Sequence, residues 1–238
     1  MLKVVSLVVL LQVVHGNLIT GFDVNPSYRR GNRVFNEEQN DGSQQASSKP
    51  DFCNDLDCPA YTVLEDVQGK YQKRRYQASN WVTTQLLDMD YQVAQSTMFR
   101  KLFLYISGNN TRGEKIAMTS PVITRLIPGP GPACESNFTM SFYISNTVAN
   151  PPTPTDTTVK LTQLPALVAY VRSFPGFATS DLWVQEATQL AQDLNGKSFN
   201  SAYFYTAGYD GPFRVVNRHN EVWFLAENAK PKTSTVVG

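Results

Sequence analysis

Apolar and polar positions alternate in short runs through the middle of the chain, and two longer stretches switch to a helical period. Residues 61–65, 71–76 and 81–84 are rich in β-branched and aromatic side chains and predict strands. From 90 to 107 the period becomes helical, with Gly108 placed to end the helix. At about 100° per residue, Met98, Phe99, Leu102, Phe103, Tyr105 and Ile106 share an arc of about 160°, which predicts the core face. Val93, Thr97, Arg100 and Leu104 gather on the opposite side, with Lys101 at its edge. Two further strands, 121–127 and 138–144, flank the stiff turn Pro128-Gly129-Pro130-Gly131-Pro132. After the extended Pro151-Pro152-Thr153-Pro154 run come strands at 159–161 and 167–174. Ser180 is then expected to cap a second helix with Trp183, Ala187, Leu190, Ala191 and Leu194 on one stripe, ended by Asn195-Gly196. Strands at 203–207 and 221–225 close the pattern.

The order strand, strand, helix, strands therefore occurs twice, which predicts a structural duplication. With strands outnumbering helices, the fold class is α+β: a strongly twisted, barrel-like sheet carrying two helices.

The ends of the chain read differently. Lys3, an apolar run over 4–14 and the small-residue exit Val14-His15-Gly16 have the layout of a secretory signal peptide, residues 1–16. That run is shorter than the roughly 20 residues needed to span a bilayer. Residues 17–51 are polar and poor in large apolar side chains, as expected of a disordered linker. One globular domain is expected over 52–228, with a flexible tail at 229–238. Losing Lys3 with the leader brings the 21 basic residues level with the 20 acidic ones. A neutral balance gives no electrostatic reason to bind nucleic acid or an anionic membrane. The expected location is extracellular.

Export bears on the cysteines and asparagines. Cys53, Cys58 and Cys134 predict one disulfide and one leftover thiol, with three pairings open. Asn109-Asn110-Thr111 and Asn137-Phe138-Thr139 are N-glycosylation sequons at Asn109 and Asn137; the second opens an apolar stretch where a glycan is harder to place.

Catalytic constellations do not emerge. Once the leader is removed His219 is the only histidine, and Asn217-Arg218-His219-Asn220 reads as a solvated turn. Carboxylates look scattered, and no nucleophile elbow, phosphate loop or zinc-protease motif is present. These features predict a binder and not an enzyme.

An ordered string of motifs is more specific. Cys58-Pro59-x-Tyr61, Tyr71-x-x-x-Arg75-Tyr76 and Trp81-Val82-x-Thr84 come first. Leu102-x-x-Tyr105-Ile106-x-Gly108-x-Asn110 and Lys115-Ile116-x-Met118-Thr119-x-Pro121-Val122 follow. Val171-Arg172-Ser173-Phe174-x-Gly176-Phe177, Tyr205-Thr206-Ala207-Gly208-Tyr209 and Asn217-Arg218-x-Asn220-Glu221-Val222-Trp223 complete it. Over residues 58–228 the chain resembles the SOUL heme-binding family, in its vertebrate heme-binding protein 2 branch. The resemblance implies a distorted antiparallel β-barrel with two helices, and binding of heme or another porphyrin without chemical turnover. Some family members carry a histidine, proposed as an axial iron ligand, where this chain has Arg75. A guanidinium has no lone pair to give. The remaining donor types are Tyr76, Met98, Met118 and the thiols. The resemblance also points to the outer face of the first helix, with Val93, Thr97 and Leu104 for the ring and Arg100 and Lys101 for the propionates. The same residues also read as an ordinary solvated face. The tetrapyrrole carrier then stands against an extracellular interaction module that keeps the fold without heme.

Overall fold

Two strand–strand–helix–strand–strand runs organise the computed structural model, which describes residues 49–131 and 134–227. The signal peptide expected at 1–16, the linker as far as residue 48 and the tail at 229–238 lie outside the described residues. A 3-10 turn at Asp51–Cys53 and strand β1 (Tyr61–Val67) precede the first run. That run comprises β2 (Tyr71–Tyr76), β3 (Ser79–Asp88), α1 (Tyr91–Ile106), β4 (Val122–Ile127) and β5 (Ser136–Ile144). The second comprises β6 (Val159–Leu164), β7 (Leu167–Phe174), α2 (Ser180–Asp193), β8 (Phe204–Gly208) and β9 (Asn220–Leu225).

All nine strands join one antiparallel sheet in the order β1-β2-β7-β9-β8-β4-β5-β3-β6, curled into a half-barrel. Exchanging β2 with β6, β3 with β7, β4 with β8 and β5 with β9 maps the order from β2 to β6 onto its own reverse. The duplication is therefore real, and its pseudo-twofold passes between β4 and β8, where Thr124 faces Thr206 at the middle of the paired register. Each unit also lends its first strand to the other: β2 pairs with β7, and β6 with β3. The exchange interlocks the halves into one domain.

Side chains alternate between the two faces of the sheet. On β9, Val222 and Phe224 join a core with Met98, Leu102 and Tyr105 of α1 and Leu190 of α2. Glu221 lies fully buried toward the other face, where Trp223 packs with Tyr61, Tyr76, Trp81, Tyr143 and Tyr209. Burial of a Leu102-sized side chain contributes about 1.5–3 kcal/mol, which is what holds each helix to the sheet.

The helix ends follow from side-chain chemistry. Asp90 accepts from the amides of Gln92 and Val93 at 2.7 and 3.2 Å. The second helix is capped one residue earlier than expected: Thr179 has extended backbone and its hydroxyl accepts from Leu182, so Ser180 is already helical. Beyond α1, Gly108 has φ +118°, and a Cβ there would meet the Gly113 carbonyl at 3.3 Å. The open disulfide question resolves to Cys53–Cys58, with Cys134 free and exposed. The loop it closes is joined to the bend before β4 by Ser120 N–H donating to the Asp57 carbonyl at 2.9 Å.

Candidate ligand-binding cleft

Over the β4–β8 seam a cavity of about 330 Å³ opens between the two helices. That volume falls at the lower end for small-molecule sites. Its floor is Val122 and Thr124 of β4 with Thr206 and Gly208 of β8. Gln95, Phe99 and Phe103 of α1 form one wall, and Phe177, Ala178 and Trp183 at the start of α2 face them. The buried stripe of α1 is Ala94, Met98, Leu102, Tyr105 and Ile106, an arc of about 120°. Phe99 and Phe103 were expected in that stripe but lie on its flank, 37% and 48% exposed. Their rings stack at 5.9 Å and 14°, and Phe99 leans on Phe142 beneath. Helical period marks a broad apolar face; how much of it a neighbour covers depends on where the next helix lands.

The polar groups of the cleft are largely committed. Tyr91 Oη and Thr206 Oγ1 share a hydrogen bond of 3.0 Å under the floor, and burial lifts this phenol to about 12 despite hydrogen bonds that lower it. At the end wall the Arg218 guanidinium lies 4.3 Å from the Phe177 ring centroid. It donates to the carbonyls of Asp210, Gly211 and Arg214 at 3.0, 2.6 and 2.7 Å, while its buried Nε has no partner among the described residues. Asp210, a carboxylate of the lining, accepts from the His219 amide at 2.6 Å and pairs with Arg214 at 3.2 Å. Among the described residues no histidine lines the cleft. The arrangement suits a flat apolar guest with a polar edge.

The residues singled out from sequence fall elsewhere. Val93, Thr97, Arg100 and Leu104 stay together on the opposite flank of α1, with Val93 and Leu104 about half exposed, and none lines the cleft. Lys101 Nζ donates to Thr158 Oγ1 at 3.0 Å, so its ammonium is tied to the loop before β6. Arg75 is not brought to this group: it sits on β2 and lines a separate depression with Leu167 and Leu225. Of the proposed iron donors, Tyr76 and Met98 are buried in the two cores, and Cys53 and Cys58 are oxidised. Met118 alone among those donor residues lines the cleft. Asn109 is exposed past the end of α1, its Oδ1 accepting from Thr155 at 2.7 Å. Asn137 lies inside β5, paired with Leu87 and Ile127, with its Oδ1 buried.

Sequence reasoning missed a polar cluster on the opposite face. Glu221, with no exposed side-chain surface, pairs with Arg74 at 2.8 Å and also accepts from Tyr209 and Trp223 at 2.8 Å each. His219 is no solvated turn residue. Its Nε2 lies 2.8 Å from Glu221 Oε1, and its ring stacks on Phe52 at 3.9 Å and 4°. Burial opposes the charge on Glu221, but Arg74 and the hydrogen bonds from His219 and Trp223 outweigh it and hold the carboxyl at about 2. Tyr209 is pushed upward, chiefly by burial and then by the Glu221 charge. The available signal was the two-residue spacing of His219, Glu221 and Trp223, which puts all three on one face of a strand.

Fold and cleft together define a duplicated α+β domain built around a central ligand-sized recess. The chain belongs to the SOUL heme-binding protein family, whose family model matches residues 56–225. It is 37% identical over 183 residues to heme-binding protein 2 of Homo sapiens, covering 74% of this chain and 89% of that protein. Heme-binding protein 1 of Mus musculus is 30% identical over 164 residues, covering 68% of this chain and 85% of that protein. Among solved structures, the EcmrR C-terminal domain superposes with a TM-score of 0.52 at 11% identity, covering 67% of this chain and 99% of that one, a likeness of fold.

Proposed function

We propose that this protein is a secreted, non-enzymatic binder or carrier of heme or a related tetrapyrrole, held in the cleft between the helices. The observation that carries the reading is the stacked Phe99–Phe103 pair, left open toward a cavity with Arg218 on its wall. Large rings exposed to a recess favour a planar apolar guest through burial, at about 25 cal/mol per Å². The residues fit the group: Phe99, Phe103, Phe177 and Trp183 would hold the ring, and the Arg218 guanidinium on the wall would set positive charge beside a propionate. Met118 offers a thioether, a donor type heme iron accepts. The names of the relatives support the same ligand class. Secretion is supported by the leader-like residues 1–16 and by the Cys53–Cys58 disulfide, which an oxidising compartment favours.

A module that keeps the fold without heme is the second reading, favoured by Arg75 at the histidine position and by the three carbonyls already bonded to Arg218. Hemin titration into the purified secreted form separates the two. The expected result is a saturable Soret change, weakened about tenfold or more by Phe99→Ser with Phe103→Ser, with the tetrapyrrole recovered unchanged. No saturable change below roughly 50 µM would reject the carrier reading.

A further inference from the structure

The loop joining β8 to β9 holds its apolar side chains outward. Surface loops ordinarily turn charge to water and tuck apolar groups away. Here Phe213 is 95% exposed, Val215 70% and Val216 66%, while the two arginines of the loop turn their N–H groups back onto its own carbonyls. Arg218 donates to the carbonyls of Asp210, Gly211 and Arg214. Arg214 donates to the Val216 carbonyl at 3.2 Å and to Asn54 Oδ1 at 2.7 Å, and pairs with Asp210. The apolar side chains are therefore presented by a braced backbone. Phe177, 55% exposed on the neighbouring loop, packs against the same Arg218.

We propose that this loop is a membrane-inserting tip, with Phe213, Val215 and Val216 entering the acyl region of one leaflet. Three observations favour a bilayer over a protein groove. A side chain as exposed as Phe213 has no wall of its own chain beside it, and a fluid hydrocarbon phase needs no matching pocket. The charge of Arg214 is already paired with Asp210, so it need not enter lipid alone. Most tellingly, the carbonyls of Asp210, Gly211, Arg214 and Val216 all accept from arginine N–H groups, so these four need no water when the tip is seated.

The mode is shallow, since no described helix is long and apolar enough to cross a membrane. It also differs from the electrostatic capture that the neutral composition argues against, because the attraction comes from apolar side chains. Gly211, Pro212 and Phe177 belong both to this face and to the cleft wall, so a seated tip brings the cleft to the lipid surface. The inference does not require a ligand in the cleft.

Flotation of the secreted form on phosphatidylcholine vesicles, without porphyrin, tests it. The protein is expected to float with them, and equally with vesicles containing phosphatidylserine, up to about 0.5 M salt. Phe213→Ser, Val215→Ser and Val216→Ser together should lower the bound fraction about tenfold or more, with melting temperature unchanged. Phe213→Trp should gain fluorescence quenching by brominated acyl chains over the wild-type background. Absence of flotation, equal flotation of the triple variant, or binding only to phosphatidylserine that salt removes would each overturn the proposal. So would loss of self-association in the triple variant with no effect on vesicles, which would make a second copy the occupant.

Discussion

Arg74 and Arg218 lie on either side of the sheet in opposite circumstances. Arg74 is sealed beneath Tyr61 and Phe52, its charge answered by Glu221 at 2.8 Å. Arg218 stands at the wall of an open cleft, bonded to carbonyls and facing no carboxylate at hydrogen-bond distance among the described residues. Tyr209 links the two regions, lining the cleft while donating to Glu221. A closed ion pair contributes to the fold because removing either member strands the other in low dielectric. An arginine whose N–H groups donate to main-chain oxygens instead shapes a rim. The chain thus uses one residue type to close a buried pair on one face and to wall an open cleft on the other.

The sharpest way to break this contrast is Arg74→Met. It strands the Glu221 carboxylate and should cost about 3–5 kcal/mol of folding stability in denaturant titrations, with hemin affinity of the remaining folded protein little changed. An equal loss of affinity would show that the two faces are not separable.

Acid should reveal the same pair. Glu221 is held at about 2 against an ordinary value of 4.5, so the unfolded chain binds more protons between those limits. Its stabilising contribution is complete above about 4.5 and declines as pH falls toward 2. Denaturation midpoints should drop over that interval, and Glu221→Gln should flatten the slope. A wild-type profile that is flat there would remove the depressed carboxyl from the account.

The smallest effect is expected on the outer flank of α1. Arg100→Ala with Lys101→Ala should change hemin affinity less than about twofold, since neither residue lines the cleft. A tenfold loss would return the ligand to the flank first marked by Val93, Thr97 and Leu104.

Much of this architecture was legible before any coordinates. Strand alternation located all nine strands to within a few residues, and Gly108 marked the end of the first helix because positive φ depends on local chemistry, whereas Asp90, read as its first residue, proves to be its N-cap. The repeated order of elements announced the duplication. The cleft was harder to see: Phe99 and Phe103 carry the same helical signal as Met98 and Leu102, and only the position of α2 leaves them uncovered. The His219–Glu221 contact hid behind a turn-like composition, although strand spacing already placed both side chains on one face.

Signals spanning one or two turns of chain were therefore sufficient for the elements, their repetition and the family, because propensity and periodicity involve near neighbours alone. Partners distant in sequence were decided by the tertiary structure. Arg74 meets Glu221 across 147 residues, and β2 and β6 exchange units, through strand registers no local pattern encodes. The recess is lined by both helices and by the sheet beneath them, a property of the assembled layers and of neither helix alone.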